Sequence, residues 1–294
     1  MVSPQPTIIF SDLDGTLLDH YTYDFSPAIS TIEQVKAINI PIILTTSKTL
    51  VEVKALQQTL CIDSPMIIEN GAAIYIPKTT FKQQPIDTIS VDNYWVKSFA
   101  PPIEHWLDII KQAPAQFDGL HRGFSSLSVK ELVEITNLTI ADATSAKCRQ
   151  YGEPIHWLGD EISKQAFIKY LKDAGANILQ GGRFFHVSGD CDKGAALTWL
   201  TQQYQALLYN QDVTTIALGD GENDTAMLEA ASTAVQICSP VHAFPTLSKQ
   251  KLSIVKTQEY GPKGWAQAIQ QLLEQQLSSG SQYFQTTHLT ISEA

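Results

Sequence analysis

Short apolar runs that end abruptly in polar residues recur along this chain, and that recurrence constrains its fold more than any single motif. Ile8-Ile9-Phe10-Ser11 runs into Asp12-Leu13-Asp14-Gly15-Thr16, and Pro41-Ile42-Ile43-Leu44-Thr45 ends in Thr46-Ser47-Lys48. Met66-Ile67-Ile68 turns through Glu69-Asn70-Gly71-Ala72, and Thr215-Ile216-Ala217-Leu218-Gly219 closes on Asp220-Gly221-Glu222-Asn223-Asp224. Runs of this length, rich in β-branched residues and bounded by turn formers, read as fully buried strands. Segments of helical spacing separate them. Ile29, Ile32, Val35 and Ile38 follow a Ser26-Pro27 start, and Val53, Leu56 and Leu60 follow the capping box of Thr49 and Glu52. Strand–helix–strand alternation predicts an α/β fold, a doubly wound parallel sheet with right-handed crossovers. In such a sheet the carboxyl ends of the strands share one edge, which is where ligands bind.

The alternation is interrupted from about residue 82, where Pro85, Pro101, Pro102 and Pro114 break the pattern. Helical spacing returns at Ile103–Ile110, after the capping box of Ser128 and Glu131, through Ile140–Arg149, and around Phe167, Ile168 and Leu171. Strands are expected at Pro154–Trp157, Asn177–Gln180 and Phe184–Val187. The parallel pattern resumes at Asp192-Lys193-Gly194, with a helix through Leu197, Leu200 and Tyr204, strands at Thr233–Val235 and Ser253–Val255, and a last helix from Trp265 to Leu277. This predicts a core over 1–82 and 190–275, an inserted α+β domain over 83–189, and a polar, mobile tail over 276–294.

Composition removes several classes of function. With 294 residues, 44% hydrophobic and 17% charged, the chain can bury a sizeable core and is not a disordered polymer. A net charge of -10 and the lack of any Lys/Arg run argue against nucleic acid or an anionic membrane as partner. The four cysteines, Cys61, Cys148, Cys191 and Cys238, are far apart and suit reduced thiols. No leader-like start and no apolar stretch of membrane length stand in the sequence, so the expected location is cytoplasmic.

Four segments then place chemistry at the strand ends: Asp12 with Asp14, Thr46-Ser47-Lys48, Lys193, and Asp220 with Asn223 and Asp224. Asp12 and Asp14 sit two residues apart, so an extended backbone sends them in similar directions. Several carboxylates around one point demand a hard cation, and oxygen donors without His or Cys suit Mg²⁺. The lysines and hydroxyls are donors that suit an anion beside that metal. A phosphate satisfies all of these groups, and a carboxylate nucleophile would then carry phosphoryl transfer through an aspartyl-phosphate. Each segment alone also fits a strand ending in a polar turn, and each lysine a solvated surface position.

Taken in order, the segments DLDGT (12–16), TTSK (45–48), DKGAAL (192–197) and GDGENDTAML (219–228) resemble the four motifs of the haloacid-dehalogenase-like (HAD) phosphohydrolases. The insertion between the second and third motifs resembles the type-IIB cap of that family's sugar-phosphate branch. The resemblance implies Asp12 as nucleophile and Asp14 as general acid/base, with Thr46 and Lys193 holding the phosphoryl oxygens. It implies metal binding by Asp12, Asp14 (through its carbonyl), Asp220 and Asp224, and further phosphate contacts from Ser47, Lys48 and Asn223. Asn223 would orient the phosphate or Lys193. Glu69-Asn70-Gly71-Ala72, Arg149-Gln150-Tyr151-Gly152-Glu153-Pro154 and Gly181-Gly182-Arg183-Phe184-Phe185-His186 are similar to segments of the branch that acts on glycosyl-3-phosphoglycerates, mannosyl above all. That branch usually has Glu where Gln150 stands. By this likeness Glu69, Asn70, Gly71, Arg149, Glu153, Gly182, Arg183 and His186 would bind a small phosphorylated sugar, the two arginines taking a carboxylate by fork-like donation. A different sugar phosphatase, a hexose phosphomutase and a non-catalytic module on the same fold remain open readings.

Overall fold

A computed structural model describes residues 5–180, 183–248 and 253–278. Its strands are β1 (Thr7–Ser11), β2 (Ile42–Thr45), β3 (Met66–Ile68), β4 (Ala73–Pro77), β5 (Ile89–Val91), β6 (Tyr94–Ser98), β7 (His121–Gly123), β8 (Glu153–Trp157), β9 (Asn177–Gln180), β10 (Phe184–Ser188), β11 (Thr214–Gly219), β12 (Thr233–Cys238) and β13 (Ser253–Tyr260). Its α-helices are α1 (Ile29–Ala37), α2 (Leu50–Leu60), α3 (Ile103–Lys111), α4 (Val129–Thr136), α5 (Ile140–Ala146), α6 (Glu161–Asp173), α7 (Lys193–Tyr204), α8 (Thr225–Ala230) and α9 (Gly261–Ser278).

Nine strands form one sheet in the order β13-β12-β11-β1-β2-β3-β4-β6-β5. The first six are parallel. All five residues of β1 are buried, because helices cover both faces of the sheet. Ile9, Leu44 and Ile216 pack under α1, α2 and α9 through Ile32, Val53 and Trp265. On the other face, Ile8, Phe10 and Ala217 meet Leu197 and Leu200 of α7 and Met227 of α8. The chain leaves β1 in one direction through β2 and β3 and returns on its other side through β11 and β12. The order therefore reverses at β1, and the carboxyl ends of β1, β2 and β11 meet at this switch point, the place where open α/β sheets bind ligands.

The sequence placed 83–98 in the inserted domain, but β5 and β6 are hydrogen-bonded onto the core sheet through β4. Only the turn Glu69–Gly71 and Ala72 join β3 to β4, which is too short for a crossover and forces an antiparallel pairing. β6 then extends that edge. All three residues of β5 are exposed at the margin, which is why alternation there is weak. The inserted segment proper follows Ala100.

That segment builds a separate antiparallel sheet, β7-β8-β10-β9. Trp106 of α3, Phe167 and Leu171 of α6, and Ile155 and Phe185 of the sheet form its main core. A smaller cluster unites Phe124, Leu127, Leu132 of α4 and Ala143 of α5. Both expected capping boxes, Thr49 with Glu52 and Ser128 with Glu131, are formed. Ser26 does not cap α1: it opens a 3-10 turn and donates its hydroxyl to Asp24. α5 ends at Ala146 rather than Arg149, where the Lys147 ammonium reaches back to the carbonyls of Phe124 and Leu127. β13 runs to Tyr260 and α9 starts at Gly261, earlier than Trp265. The tail expected over 276–294 is helical as far as Ser278 and beyond that lies outside the described residues. Among the described residues, no helix is long and apolar enough to cross a membrane.

Candidate active site

Lys193 is the centre of the side chains gathered at this switch point. It is wholly buried, the first residue of α7, and its ammonium lies 2.6 Å from Asp12 Oδ1 and 2.6 Å from Asp224 Oδ1. Asp192 caps that helix by accepting the Ala195 N–H, which places Lys193 at the strand ends. Asp12 follows β1 directly and donates its N–H to Leu218 of β11. Ser11 behind it donates to the Asp12 carbonyl and accepts from the buried Trp265 indole. Asp224 accepts the N–H groups of Asp220 and Gly221 with its other oxygen, so it both shapes the loop after β11 and holds Lys193.

Oxygens of Asp12, Asp220 and Asp224 lie within 4.8 Å of one another and all three residues are buried. Burial first, and then the Asp224 charge, push the Asp12 carboxyl well above its ordinary range, with Lys193 opposing. The same two causes raise Asp220. Burial opposes the charge on Lys193, yet Asp12 and Asp224 outweigh it and hold the ammonium above its ordinary range. Three buried carboxylates against one lysine leave an excess of negative charge, and an all-oxygen donor set of this kind fits a hard divalent cation. Gly15, at φ +79°, is required beside it: a Cβ there would stand 2.5 Å from Asp220 Oδ2.

Asp14 leaves the company of Asp12. Gly15 turns the chain, and the Asp14 carboxylate, 39% exposed, pairs with Lys48 at 2.9 Å. Burial disfavours the Lys48 charge, but Asp14 and Glu52 more than compensate and raise it. Thr46, almost fully buried, accepts the Lys48 N–H with its hydroxyl oxygen, a bond that leaves its own proton able to serve an anion. The turn at Glu69–Gly71 docks on this loop, Asn70 N–H bonding to the Thr46 carbonyl and Glu69 N–H to that of Lys48.

These contacts link Asp12, Lys193, Asp220 and Asp224 in one buried group and Asp14 with Lys48 in another; Asn70 joins the Thr46 carbonyl to Asn223, and Ser47 offers its carbonyl to Arg149. Asn223 does not contact Lys193; it donates to Asn70 Oδ1 at 3.2 Å, and Asp224 supplies the anchor for Lys193. Glu69 is no open ligand: its carboxylate accepts the N–H groups of Gln150, Tyr151 and Gly152 at the entry to β8. Gly71 is pressed against the Asp192 carbonyl. Arg149, with its side chain 8% exposed, stands 3.6 Å from Glu69 and donates to the Ser47 carbonyl at 2.9 Å, which ties the inserted segment to the core loop. Glu153 is buried and accepts twice from Ser125; burial raises its carboxyl. His186 is driven down to about 4, first by burial and then by Arg149. Arg183 is exposed and donates to the Ile135 carbonyl near the end of α4. Gly182 lies outside the described residues.

Sequence reasoning missed three contributors. Thr16 donates to Asp220 Oδ1 at 3.4 Å, a role its place in the first motif could have suggested. His242, 3.3 Å from Asp220 Oδ2, comes from a loop with no motif. Tyr23 places its ring 5.0 Å from the Lys48 ammonium, again without a sequence signal.

Residues 9–239 match the family model of haloacid dehalogenase-like hydrolases. The chain is 35% identical over 268 residues to a glucosyl-3-phosphoglycerate/mannosyl-3-phosphoglycerate phosphatase of Methanococcoides burtonii, covering 90% of this chain and 97% of that one. A protein of the same description from Persephonella marina is 32% identical over 91% of this chain and 97% of its own length. In fold, the chain is similar to a HAD subclass IIB sugar phosphatase, with a TM-score of 0.57 at 16% identity over 90% of this chain and 98% of that one. This chain belongs to the haloacid dehalogenase-like hydrolases.

Proposed function

We propose that this enzyme is a Mg²⁺-dependent phosphatase that hydrolyses a glycosyl-3-phosphoglycerate to the glycosylglycerate and phosphate. The observation that carries the chemistry is the buried Asp12–Lys193–Asp224 array beside Asp220, with Asp14 held apart by Lys48. The substrate class rests on the two phosphatase relatives of matching length. In the first step an Asp12 oxygen attacks phosphorus, the bond to the leaving oxygen breaks, and Asp14 gives that oxygen its proton. In the second step Asp14 takes a proton from the water that opens the acyl phosphate, which regenerates Asp12. Lys193 and Thr46 hold the phosphoryl oxygens, with Ser47, Lys48 and Asn223 around them. Asp12, the Asp14 carbonyl, Asp220 and Asp224 would hold Mg²⁺, which supplies positive charge against the transferring group. The segment from 100 to 189 serves as a cap whose closure excludes water, and Arg149 takes the substrate carboxylate. All four cysteines are free, which suits a reducing cytoplasmic compartment.

The test is phosphate release from a panel of phosphorylated sugars and glycosyl-3-phosphoglycerates, with Mg²⁺ or with chelator. Multiple turnovers on a glycosyl-3-phosphoglycerate, abolished by chelation and by Asp12→Asn, are expected. Transfer of the phosphoryl group to a second sugar hydroxyl in place of water would identify a mutase instead.

A further inference from the structure

The inference rests on the phosphatase reading above and concerns where the sugar sits. Asp14 protonates the leaving oxygen, so the leaving group lies on the side of the site that Asp14 and Lys48 occupy. On that side Tyr23 faces Lys48 from a loop built to hold it. Its φ of +57° is a left-handed backbone conformation, uncommon and strained for a bulky side chain. Asp19 secures the loop by accepting the N–H groups of Tyr21 and Thr22 and the Thr22 hydroxyl, and its own N–H bonds to the Asp24 carbonyl.

Beyond Lys48 and Tyr23 opens a cavity of about 430 Å³. One wall is the core, with Ala55 and Leu56 of α2; the other is the cap, with Leu138 and Ser145. Thr49 donates to the Ser145 carbonyl across the seam, so the cavity exists only while cap and core are apposed. Its volume falls within the range of about 300–1,000 Å³ typical of small-molecule sites. Its lining pairs apolar and aromatic faces with hydroxyl and carboxylate groups, Glu52 among them. A pyranose has the same duality, with a C–H face and a rim of hydroxyls. We propose that this cavity is the subsite for the glycosyl part of the leaving group, its C–H face against Tyr23, Leu56 and Leu138 and its hydroxyls toward Glu52 and Ser145. Sugar selection then lies on the α2–α5 seam, not on Arg183 and the cap sheet.

Ala55 is exposed on the cavity wall and outside the catalytic groups. Ala55→Trp and the smaller Ala55→Phe both fill the space from the core side. Both are assayed on a glycosyl-3-phosphoglycerate, on 3-phosphoglycerate without its sugar, and on 4-nitrophenyl phosphate, with Tm recorded in parallel. The expected result is at least a tenfold loss of kcat/KM on the glycosylated substrate, mainly in KM, with the two smaller substrates within twofold and Tm unchanged. Wild-type kcat/KM on the glycosylated substrate in both variants, or equal losses on all three substrates, overturns the subsite and leaves the phosphatase. A wild-type enzyme that releases no phosphate from any phosphorylated sugar overturns the phosphatase reading and the subsite with it.

Discussion

Lys193→Met should destabilise the metal-free enzyme severely, and the size of the effect follows from what the lysine touches. Its ammonium is the buried counter-charge between Asp12 and Asp224, 2.6 Å from each. Methionine keeps the aliphatic stem but leaves the carboxylates of Asp12, Asp220 and Asp224 repelling one another out of water. Removing one partner of a buried ion pair costs about 3–5 kcal/mol, because the other charge remains buried and unpaired. For a chain of this size that corresponds to a fall in Tm of roughly 6–20 °C. Burial and Asp224 already hold the Asp12 carboxyl high with the lysine in place, and without it the carboxyl rises further.

Two internal controls separate this cause from a simple packing defect. Asp224→Asn in the Lys193→Met background removes one of the orphaned charges and should restore part of the lost stability, whereas a cavity would be deepened or untouched. Saturating Mg²⁺ should raise the Tm of the single variant more than that of the wild type, since a divalent cation supplies the charge that the lysine gave. The assay is urea and thermal unfolding in chelator, repeated with Mg²⁺. A Lys193→Met enzyme within about 1 kcal/mol of wild type in chelator would refute the electrostatic account of the site.

Three further outcomes follow from single contacts. Glu69→Gln removes the charge from an acceptor that holds the N–H groups of Gln150, Tyr151 and Gly152; at about 2 kcal/mol, hydrogen exchange at those amides should quicken roughly thirtyfold, and unchanged protection would count against the clasp. His186 has its pKa lowered from 6.5 to about 4, so it contributes stability that is complete above pH 6.5 and lost as pH falls toward 4, at most about 3 kcal/mol; His186→Asn should flatten that part of the stability–pH curve, and an identical slope would exclude the residue as its source. Arg149→Ala should lower kcat/KM for a glycosyl-3-phosphoglycerate about tenfold to a hundredfold while Arg183→Ala stays within about threefold, and the reverse order would return carboxylate binding to Arg183.

The core was legible in the sequence because its signals are local. A buried parallel strand must be apolar on both faces, so β1, β2, β3 and β11 stand out as runs, and the groups at their ends fall together by topology alone. The edge strands β5 and β6 were not legible, since an exposed hairpin at the margin of a sheet needs no apolar pattern. Nor was the separation of the Asp14 carboxylate from that of Asp12. Alternation sends both the same way, but the turn at Gly15 sends Asp14 to Lys48 instead. Glu69 and Arg183 show the harder limit. Their partners are backbone amides and a carbonyl 81 and 48 residues distant in sequence, which no pattern of side chains can announce.

The turn at residues 69–71 shows how such contacts hold the site together. Glu69, Asn70 and Gly71 all have positive φ, at 47°, 59° and 92°, and a left-handed conformation in a non-glycine residue costs on the order of 1–3 kcal/mol. That strain is sustained because each residue of the turn fixes a different part of the site. Glu69 clasps the entry to β8 and with it the cap, while Asn70 holds the Thr46 carbonyl with its N–H and Asn223 with its side chain. Gly71 lies so close to the start of α7 that a Cβ would stand 2.2 Å from the Asp192 carbonyl, one residue before Lys193. The loop at Thr46–Lys48, the acidic loop after β11, the buried lysine and the cap thus bear on one three-residue turn. A relaxed backbone there would release all four at once, which is the physical reason for keeping the strain.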